Sequence, residues 1–348
     1  MSRSTAGLPA EWAPQVAVIL TWPHEHGDRA DGPQAVEAVF VRIAVEVARR
    51  EAVVIGCRDA AMGRRVRGLL RAAEVDLARV HLHAVPGAGI WAREHGPITV
   101  VRSGWPLLLD FVSAVDDHVA GRLHALGAFD AVPMIRVELR LAGGSIETDG
   151  EGTLLITRQQ LRGVASASGL AEAELCARLG ALFGPLRVLQ IDDVSRECGA
   201  MTGDDIAGHI DMLARFTDVM TIAYQSCDDP EDPHWTSMQG LATELAALRS
   251  RSGEPYRLVP LPWPQPRRSA TGQRLPLSYA SFLILNNAVL VPIYEDPADE
   301  RAIAVLARVF PGRDVVGIDS LALARQQGGL HGVTMQLPLP LSLGPDTA

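Results

Sequence analysis

The stretch ITVVRSGWPLLLDF (residues 98–111) sets two short apolar segments, ITVV and PLLLDF, on either side of a turn that contains glycine. Short apolar runs bounded by turn residues are typical of buried strands. The sequence therefore predicts two successive strands here. Similar apolar segments recur along the chain, and we predict further strands at residues 15–20, 52–56, 79–85, 152–157, 187–191, 219–224, 256–262 and 288–294.

Helical patterns separate these strands. Apolar residues recur with a helical period in five segments, at residues 32–50, 59–75, 171–183, 235–252 and 299–310. Strands outnumber helices, and strand pairs alternate with single helices, which favours an α/β fold containing hairpins. The polar stretch 264–276 is typical of a surface hairpin loop, and no long linker divides the chain. We therefore expect a single domain over residues 1–348.

The composition excludes several classes of function. A chain with 47% hydrophobic and 21% charged residues is an ordinary globular protein, and its net charge of −9 argues against nucleic acid or a membrane surface as partner. All basic residues are arginines, which excludes a lysine Schiff base. No run of 18 apolar residues occurs, so we expect a cytoplasmic protein. The cysteines form no CxxC pair, and we expect neither a metal nor a cofactor; they are Cys57, Cys176, Cys198 and Cys227.

Four stretches carry the residues suited to chemistry. They are WAREHGP (91–97), AGGSIETDGEGTLL (142–155), TGDDIAGHIDMLARF (202–216) and GGLHGVTMQLP (328–338). In the first, we predict that a strand end delivers Arg93, Glu94 and His95 to a Gly-Pro turn. In the second, the paired glycines permit close approach of the backbone.

The third and fourth stretches contribute histidines. His209 and Asp211 stand two residues apart, and on an extended segment such side chains share a face, so both can serve one pocket. His331 directly precedes Gly332. The residues alone indicate an enzyme-like α/β protein with an acidic, histidine-bearing pocket. They leave open simpler interpretations, namely a surface polar pair, a tight turn or a helix cap.

These stretches resemble the motifs of the agmatine deiminase and bacterial peptidyl-arginine deiminase family, in the same order and over nearly the whole chain. The matching segments are LPAEWAPQVAVILTWPH (8–24), WAREHGP, GGSIETDGEGTLL, GDDIAGHID with the following ARF, and GGLHGVTMQLP. The resemblance implies an α/β pentein fold, in which five ββαβ-like modules surround a pseudo-fivefold axis. It also implies that a small-molecule ligand binds in a central pocket.

The family hydrolyses guanidines through a covalent intermediate. As the resemblance implies, a cysteine thiolate attacks the guanidinium carbon, and a histidine protonates the departing nitrogen. That histidine corresponds to His209, and the carboxylate that follows it to Asp211. The positions matching the family's substrate-binding residues are Trp91, Arg93, Glu94, Gly143, Gly144, Asp205 and His331.

Several family positions are changed in this chain. The nucleophilic cysteine corresponds to Gly332, and the acidic residue before Gly-Gly corresponds to Ala142. An aspartate of the first motif becomes Glu94, and one of the third becomes Ala207. We therefore expect a catalytically silent or diverged protein with a binding, regulatory or assembly role. We expect it to form a homodimer or to associate with an active paralogue.

Two alternatives remain open. In the first, the chain is an active hydrolase or lyase of altered chemistry, acting on a guanidine, an amidine or another polar small molecule. His209 paired with Asp211 would activate water, Glu94 would contact the substrate, and Cys198 would supply a relocated thiol. In the second, carboxylates and imidazoles of Glu94, His209, Asp211 and His331 bind a divalent metal.

Overall fold

The computed structural model describes residues 7–24, 32–87, 89–113, 118–192 and 208–347. Within these ranges the strands are β1 (Gln15–Thr21), β2 (Ala52–Cys57), β3 (Val80–Ala84), β4 (Ile98–Arg102), β5 (Trp105–Phe111), β6 (Met134–Val137), β7 (Ile146–Thr148), β8 (Thr153–Thr157), β9 (Arg187–Ile191), β10 (Ala214–Asp218), β11 (Thr221–Gln225), β12 (Arg257–Leu261), β13 (Leu283–Ile284), β14 (Ala288–Ile293), β15 (Asp314–Asp319) and β16 (Met335–Pro338). The helices are α1 (Gly32–Ala48), α2 (Ala60–Ala72), α3 (Ala92–His95), α4 (Val119–Ala125), α5 (Arg158–Ala167), α6 (Glu172–Phe183), α7 (Trp235–Ala247), α8 (Asp299–Val309) and α9 (Leu321–Arg325).

The chain divides into two compact units, each built from discontinuous segments. Unit 1 comprises Met1–Gly143, Leu285–Asn287 and Gly332–Ala348, and unit 2 comprises Gly144–Ile284 and Ala288–His331. The single domain over residues 1–348 stays a prediction.

One topological rule describes every sheet of the described residues. An antiparallel strand pair is followed by a helical connection and a third strand, which lies parallel to the second strand of the pair. Unit 2 contains the sheets β7-β8-β9, β10-β11-β12 and β13-β14-β15. Unit 1 contains β4-β5-β6 and the four-stranded sheet β16-β1-β2-β3, in which β16 pairs with β1 and places Met335 opposite Ile19. The predicted rhythm of strand pairs and helices is thus confirmed in five ββαβ modules.

Burial explains why these segments form strands and helices. Every side chain of β8, TLLIT, is buried, as expected for a strand covered on both faces. In α2 the buried residues Gly63, Val66 and Leu70 recur at helical spacing. Asp59 is the N-cap of this helix, since its carboxylate accepts a hydrogen bond from the main-chain nitrogen of Met62. The polar stretch 264–276 forms the predicted hairpin, through a bridge between Arg268 and Arg274.

The helices of the described residues are short or amphipathic. The longest, α1, has 17 residues. Spanning a bilayer takes about 20 apolar residues. Within the part of the chain that the structure describes, no helix is long and apolar enough to cross a membrane.

Two local predictions are wrong. The segment WAREHGP does not contain a strand end, because Ala92–His95 form a single helical turn in which the Gly96 nitrogen donates to the Ala92 carbonyl at 2.8 Å. The helix predicted to reach residue 252 ends at Ala247, because the chain turns back through an antiparallel bridge between Arg249 and Pro255.

The sequence does not predict strand β10, because the charged residue Arg215 interrupts its apolar run. Arg215 is fully buried in this strand and donates through Nε to the buried carboxylate of Glu147 in β7. Its Nη1 donates to the carbonyl oxygen of Phe282 at 2.7 Å, and its guanidinium carbon lies 4.8 Å from the centre of the Phe282 ring. The second oxygen of Glu147 accepts from the nitrogen of Phe216 at 3.2 Å. This buried ion pair joins two modules of unit 2.

We expect Arg215→Ala to lower the free energy of unfolding by about 3–5 kcal/mol, because it leaves the Glu147 carboxylate buried without its partner. Chemical denaturation measures this loss. Arg301→Ala is the matched control, since it removes an ion pair with Asp228 whose side chains are 59% and 58% exposed. It should cost less than about 1 kcal/mol. Equal losses in the two variants would show that the buried pair has no special importance.

Candidate functional site

The turn that carries His209 and Asp211 is fixed at both ends. His209 precedes a turn of 3₁₀ helix, Ile210–Met212, so the segment is not extended as the sequence predicts. Thr157 donates through its hydroxyl to the carbonyl oxygen of Gly208 at 2.8 Å. Ser278 donates in the same way to the carbonyl oxygen of Met212 at 2.7 Å. Thr157 at the end of β8 and Ser278 in the loop before β13 therefore hold the turn before and after the two candidate residues.

The paired side chains lie directly over Gly144. A Cβ atom on Gly144 would lie 2.8 Å from Oδ2 of Asp211 and 3.0 Å from Nδ1 of His209. Both separations are shorter than ordinary contacts of a carbon atom, so a side chain at position 144 would force Asp211 and His209 to shift. The imidazole and the carboxylate therefore lie together, although a 3₁₀ turn brings this about in place of an extended strand.

His331 is the hydrogen-bond partner of Asp211. Its Nδ1 lies 2.7 Å from Oδ2 of Asp211, and both side chains are buried. The main-chain nitrogen of His331 donates to the carbonyl oxygen of Ser281 at 3.2 Å and to its hydroxyl at 3.1 Å. Gly329 allows this approach, since a Cβ there would lie 2.1 Å from the Ser281 hydroxyl oxygen. The glycines before His331 thus serve to position the imidazole.

Asp211 is an ionised carboxylate in a buried place. Burial raises its pKa, but the hydrogen bond from His331 and electrostatic interactions with His331, His209 and Arg215 outweigh that effect, so the pKa of Asp211 is lowered. The arrangement supplies a fixed negative charge beside two imidazoles. Such a group can orient a histidine or accept charge-assisted hydrogen bonds from a cationic ligand.

A second buried cluster surrounds Arg93 in unit 1. Its main-chain nitrogen donates to the carbonyl oxygen of Gly332 at 3.0 Å, and its Nε donates to that of Thr334 at 2.8 Å. Nη1 donates to Glu11 at 2.8 Å, and Nη2 donates to the amide oxygen of Gln336. A Cβ on Gly143 would lie 2.8 Å from Cδ of Arg93. The first glycine of the Gly-Gly pair therefore makes room for Arg93, as the second does for Asp211.

The family positions are divided between the two units. His209, Asp211 and His331 belong to unit 2. The changed positions Glu94, Ala142 and Gly332 belong to unit 1, where each is half-buried, as is Trp91. The positions that lie outside the described residues are Asp205, Ala207 and Cys198. The catalytic and binding roles of all these residues stay predictions, as does the metal site.

The cysteines that the structure describes are poor nucleophiles. Burial raises the pKa of Cys57 to about 12. Burial also raises the pKa of Cys176 and that of Cys227, whose sulfur donates to the carbonyl oxygen of Asp229 at 3.6 Å. Because the thiolate is the reactive form, none of these three thiols is activated at neutral pH.

Sequence reasoning missed four buried or half-buried polar residues, two in each unit. They are Glu11, Glu147, Arg215 and Gln336. All of them stand within the quoted stretches, and Glu11, Arg215 and Gln336 each stand between two apolar residues. That contrast was the available signal, because a buried polar group requires a partner.

Comparisons with known proteins give one consistent family. The family model for Porphyromonas-type peptidyl-arginine deiminase matches residues 7–338. A curated agmatine deiminase of Pseudomonas fluorescens is 26% identical over 366 aligned positions, which cover 96% of this chain and 95% of that protein.

Solved structures agree with these sequence matches. A Porphyromonas gingivalis protein described as an arginine deiminase is 40% identical, with a TM-score of 0.88 over 97% of this chain and 99% of that one. A Cys→Ser variant of the C. jejuni agmatine deiminase, solved with substrate bound, is 27% identical, with a TM-score of 0.82 over 95% and 96% of the two chains. These likenesses confirm the α/β pentein fold.

We expect Gly144→Ala to displace the His209 and Asp211 side chains and to lower the free energy of unfolding by about 1–3 kcal/mol, as overpacking does. Gly163→Ala is the matched control, because a Cβ on this glycine of α5 would meet no atom within 4 Å. Alanine favours a helix over glycine by about 1 kcal/mol, so the control should be neutral or stabilising. Thermal unfolding distinguishes the two variants. An unchanged stability of Gly144→Ala would contradict the close contact between Gly144 and the His209 and Asp211 side chains.

Proposed function

Because this chain belongs to the Porphyromonas-type peptidyl-arginine deiminase family, we propose that it binds a guanidinium-bearing small molecule without deiminating it through a covalent thiol intermediate. One observation carries the proposal: glycine occupies position 332, which corresponds to the family's nucleophilic cysteine. The thiol that this glycine lacks is the group without which the covalent route cannot proceed.

The covalent route needs a sulfur atom to form a bond with the guanidinium carbon, after which ammonia leaves. Glycine offers only hydrogen at this position, so no thiouronium adduct forms there. The three described cysteines have raised pKa values and do not substitute for it. Removing one member of a catalytic set that acts as a unit lowers rates by about 10⁴–10⁶-fold.

The retained residues support binding. Asp211 keeps its negative charge in a site with little solvent, since its side chain is 3% exposed and its pKa is lowered. A buried carboxylate favours a cation such as a guanidinium through charge-assisted hydrogen bonds. The C. jejuni agmatine deiminase holds its substrate in a Cys→Ser variant, so in that protein loss of a thiol is compatible with binding. Agmatine is therefore the first probe for this chain.

A second candidate function is catalysis of altered chemistry. The observation that favours it is the intact pairing of His331 with Asp211 beside His209. A histidine oriented in this way is suited to activate water directly. In that case a hydrolytic product would form without any cysteine. If the chain binds its ligand without catalysis, we propose that it acts by associating with an active paralogue or with a second copy of itself.

We expect the purified protein to bind agmatine in calorimetry and to release no ammonia from agmatine or arginine above background. Asp211→Asn should weaken binding at least tenfold, because it removes the buried negative charge. Asp228→Asn, at a side chain that is 58% exposed, is the control and should bind like the parent. Ordinary turnover would refute the proposal that the chain binds its ligand without catalysis. Turnover that His209→Ala abolishes would establish catalysis of altered chemistry, the second candidate function.

We expect Gly332→Cys alone to recover little deiminase activity. Ala142 still lacks the family's carboxylate, and a lost charge pair costs about 2–5 kcal/mol of binding. Glu94 keeps its negative charge, but its carboxylate stands one methylene farther from the main chain than that of the family's aspartate. The assay compares Gly332→Cys with the triple variant that also carries Ala142→Glu and Glu94→Asp, with Gly163→Cys as a thiol control on α5. Full turnover in the single variant would show that the thiol was the one missing component.

A further inference from the structure

We propose that Arg93 is a positioning residue, which fixes the main chain of residues 332–336, and that it does not contact the ligand. The family resemblance places Arg93 among the substrate-binding residues, so this assigns it a different role. The inference rests on the proposed function only where it treats the segment beginning at Gly332 as part of the ligand site.

Arg93 binds two carbonyl groups of the same short segment. Its main-chain nitrogen donates to Gly332 at 3.0 Å, and Nε donates to Thr334 at 2.8 Å. These carbonyl groups stand two residues apart, and both lie just before β16. One residue therefore fixes both the place and the direction of the chain at position 332.

Two further side chains close the cluster. Nη1 of Arg93 donates to Oε1 of Glu11 at 2.8 Å, and Nη2 donates to the amide oxygen of Gln336. The amide nitrogen of Gln336 donates in turn to Oε2 of Glu11 at 2.9 Å. Arginine, glutamate and glutamine thus form a ring of hydrogen bonds, which we call the Arg93 clamp. Its members come from three of the stretches that carry the family resemblance.

Burial separates the clamp from solvent. Arg93 is 3% exposed, so its guanidinium presents almost no surface to an incoming molecule. Glycines make room for the packing around it. A Cβ on Gly143 would lie 2.8 Å from Cδ of Arg93, and one on Gly96 would lie 2.8 Å from Cγ of Met335.

A positive charge alone does not reproduce this arrangement. The guanidinium is a planar fork whose nitrogens reach Thr334, Glu11 and Gln336 in different directions. An ammonium group on a lysine can approach one carboxylate but cannot span all three acceptors. The clamp role therefore predicts that Arg93→Lys behaves like Arg93→Met, whereas a role in ligand charge predicts that lysine retains function.

Amide hydrogen exchange tests the clamp without any ligand. In Arg93→Met and Arg93→Lys, exchange at Val333–Gln336 should rise at least tenfold, while exchange in β2 (Ala52–Cys57) stays unchanged. Glu11→Gln and Gln336→Leu should raise exchange in the same segment, which keeps the test valid if Arg93→Met does not fold. Arg42→Met, at a side chain that is 50% exposed, is the control. Unchanged exchange in the Arg93 variants would overturn the proposal.

Agmatine titration then separates the two roles of Arg93. The clamp predicts that Glu11→Gln, Gln336→Leu and Arg93→Lys all weaken agmatine binding. If Arg93→Met alone weakens it and Arg93→Lys restores it, Arg93 contacts the ligand and the proposal is wrong. If the parent protein itself does not bind agmatine, the proposed function fails, while the exchange result still decides whether the clamp exists.

Discussion

The hydrogen bond between Asp211 and His331 is the constraint on which the candidate site depends. A carboxylate that is 3% exposed is costly to keep charged unless donors and positive charges compensate for the lost water. His331 supplies that compensation at 2.7 Å. Gly329 lets the chain bring His331 to this place, and Gly144 leaves room for the carboxylate itself. Gly144 and Gly329 are thus explained by one buried charge.

The same physical rule applies to two other buried charges of the motif stretches. Arg93 in unit 1 and Arg215 in unit 2 are both buried arginines, and each has a glutamate partner and main-chain carbonyl groups as acceptors. Buried charges of this kind hold strands in fixed positions, because displacement would leave a charge without its partner. These buried arginines and their partners therefore support the scaffold that this chain shares with its family.

The sequence predicts ten of the strands and five of the helices of the described residues, because burial on one or both faces leaves a pattern in the residues, but it misses helix α5 and strand β15. Strand β10 is missed, since Arg215 breaks its apolar run and its partner Glu147 is distant in sequence. The turn at Ala92–His95 is missed because no local signal distinguishes a single helical turn from the end of a strand. The motifs locate His209 and Asp211, but the clamp around Arg93 depends on contacts between segments that are far apart in the chain.

Intact-protein mass spectrometry tests the central claim most directly. The purified protein is incubated with excess agmatine, and samples are quenched in acid at intervals before their intact mass is measured. Peptide mapping then covers every cysteine, including Cys198. A chain that binds its ligand without a thiol intermediate keeps its unmodified mass at all times. A guanidine-derived adduct on any cysteine would contradict the account, because it would reveal a nucleophile that replaces the sulfur missing at Gly332.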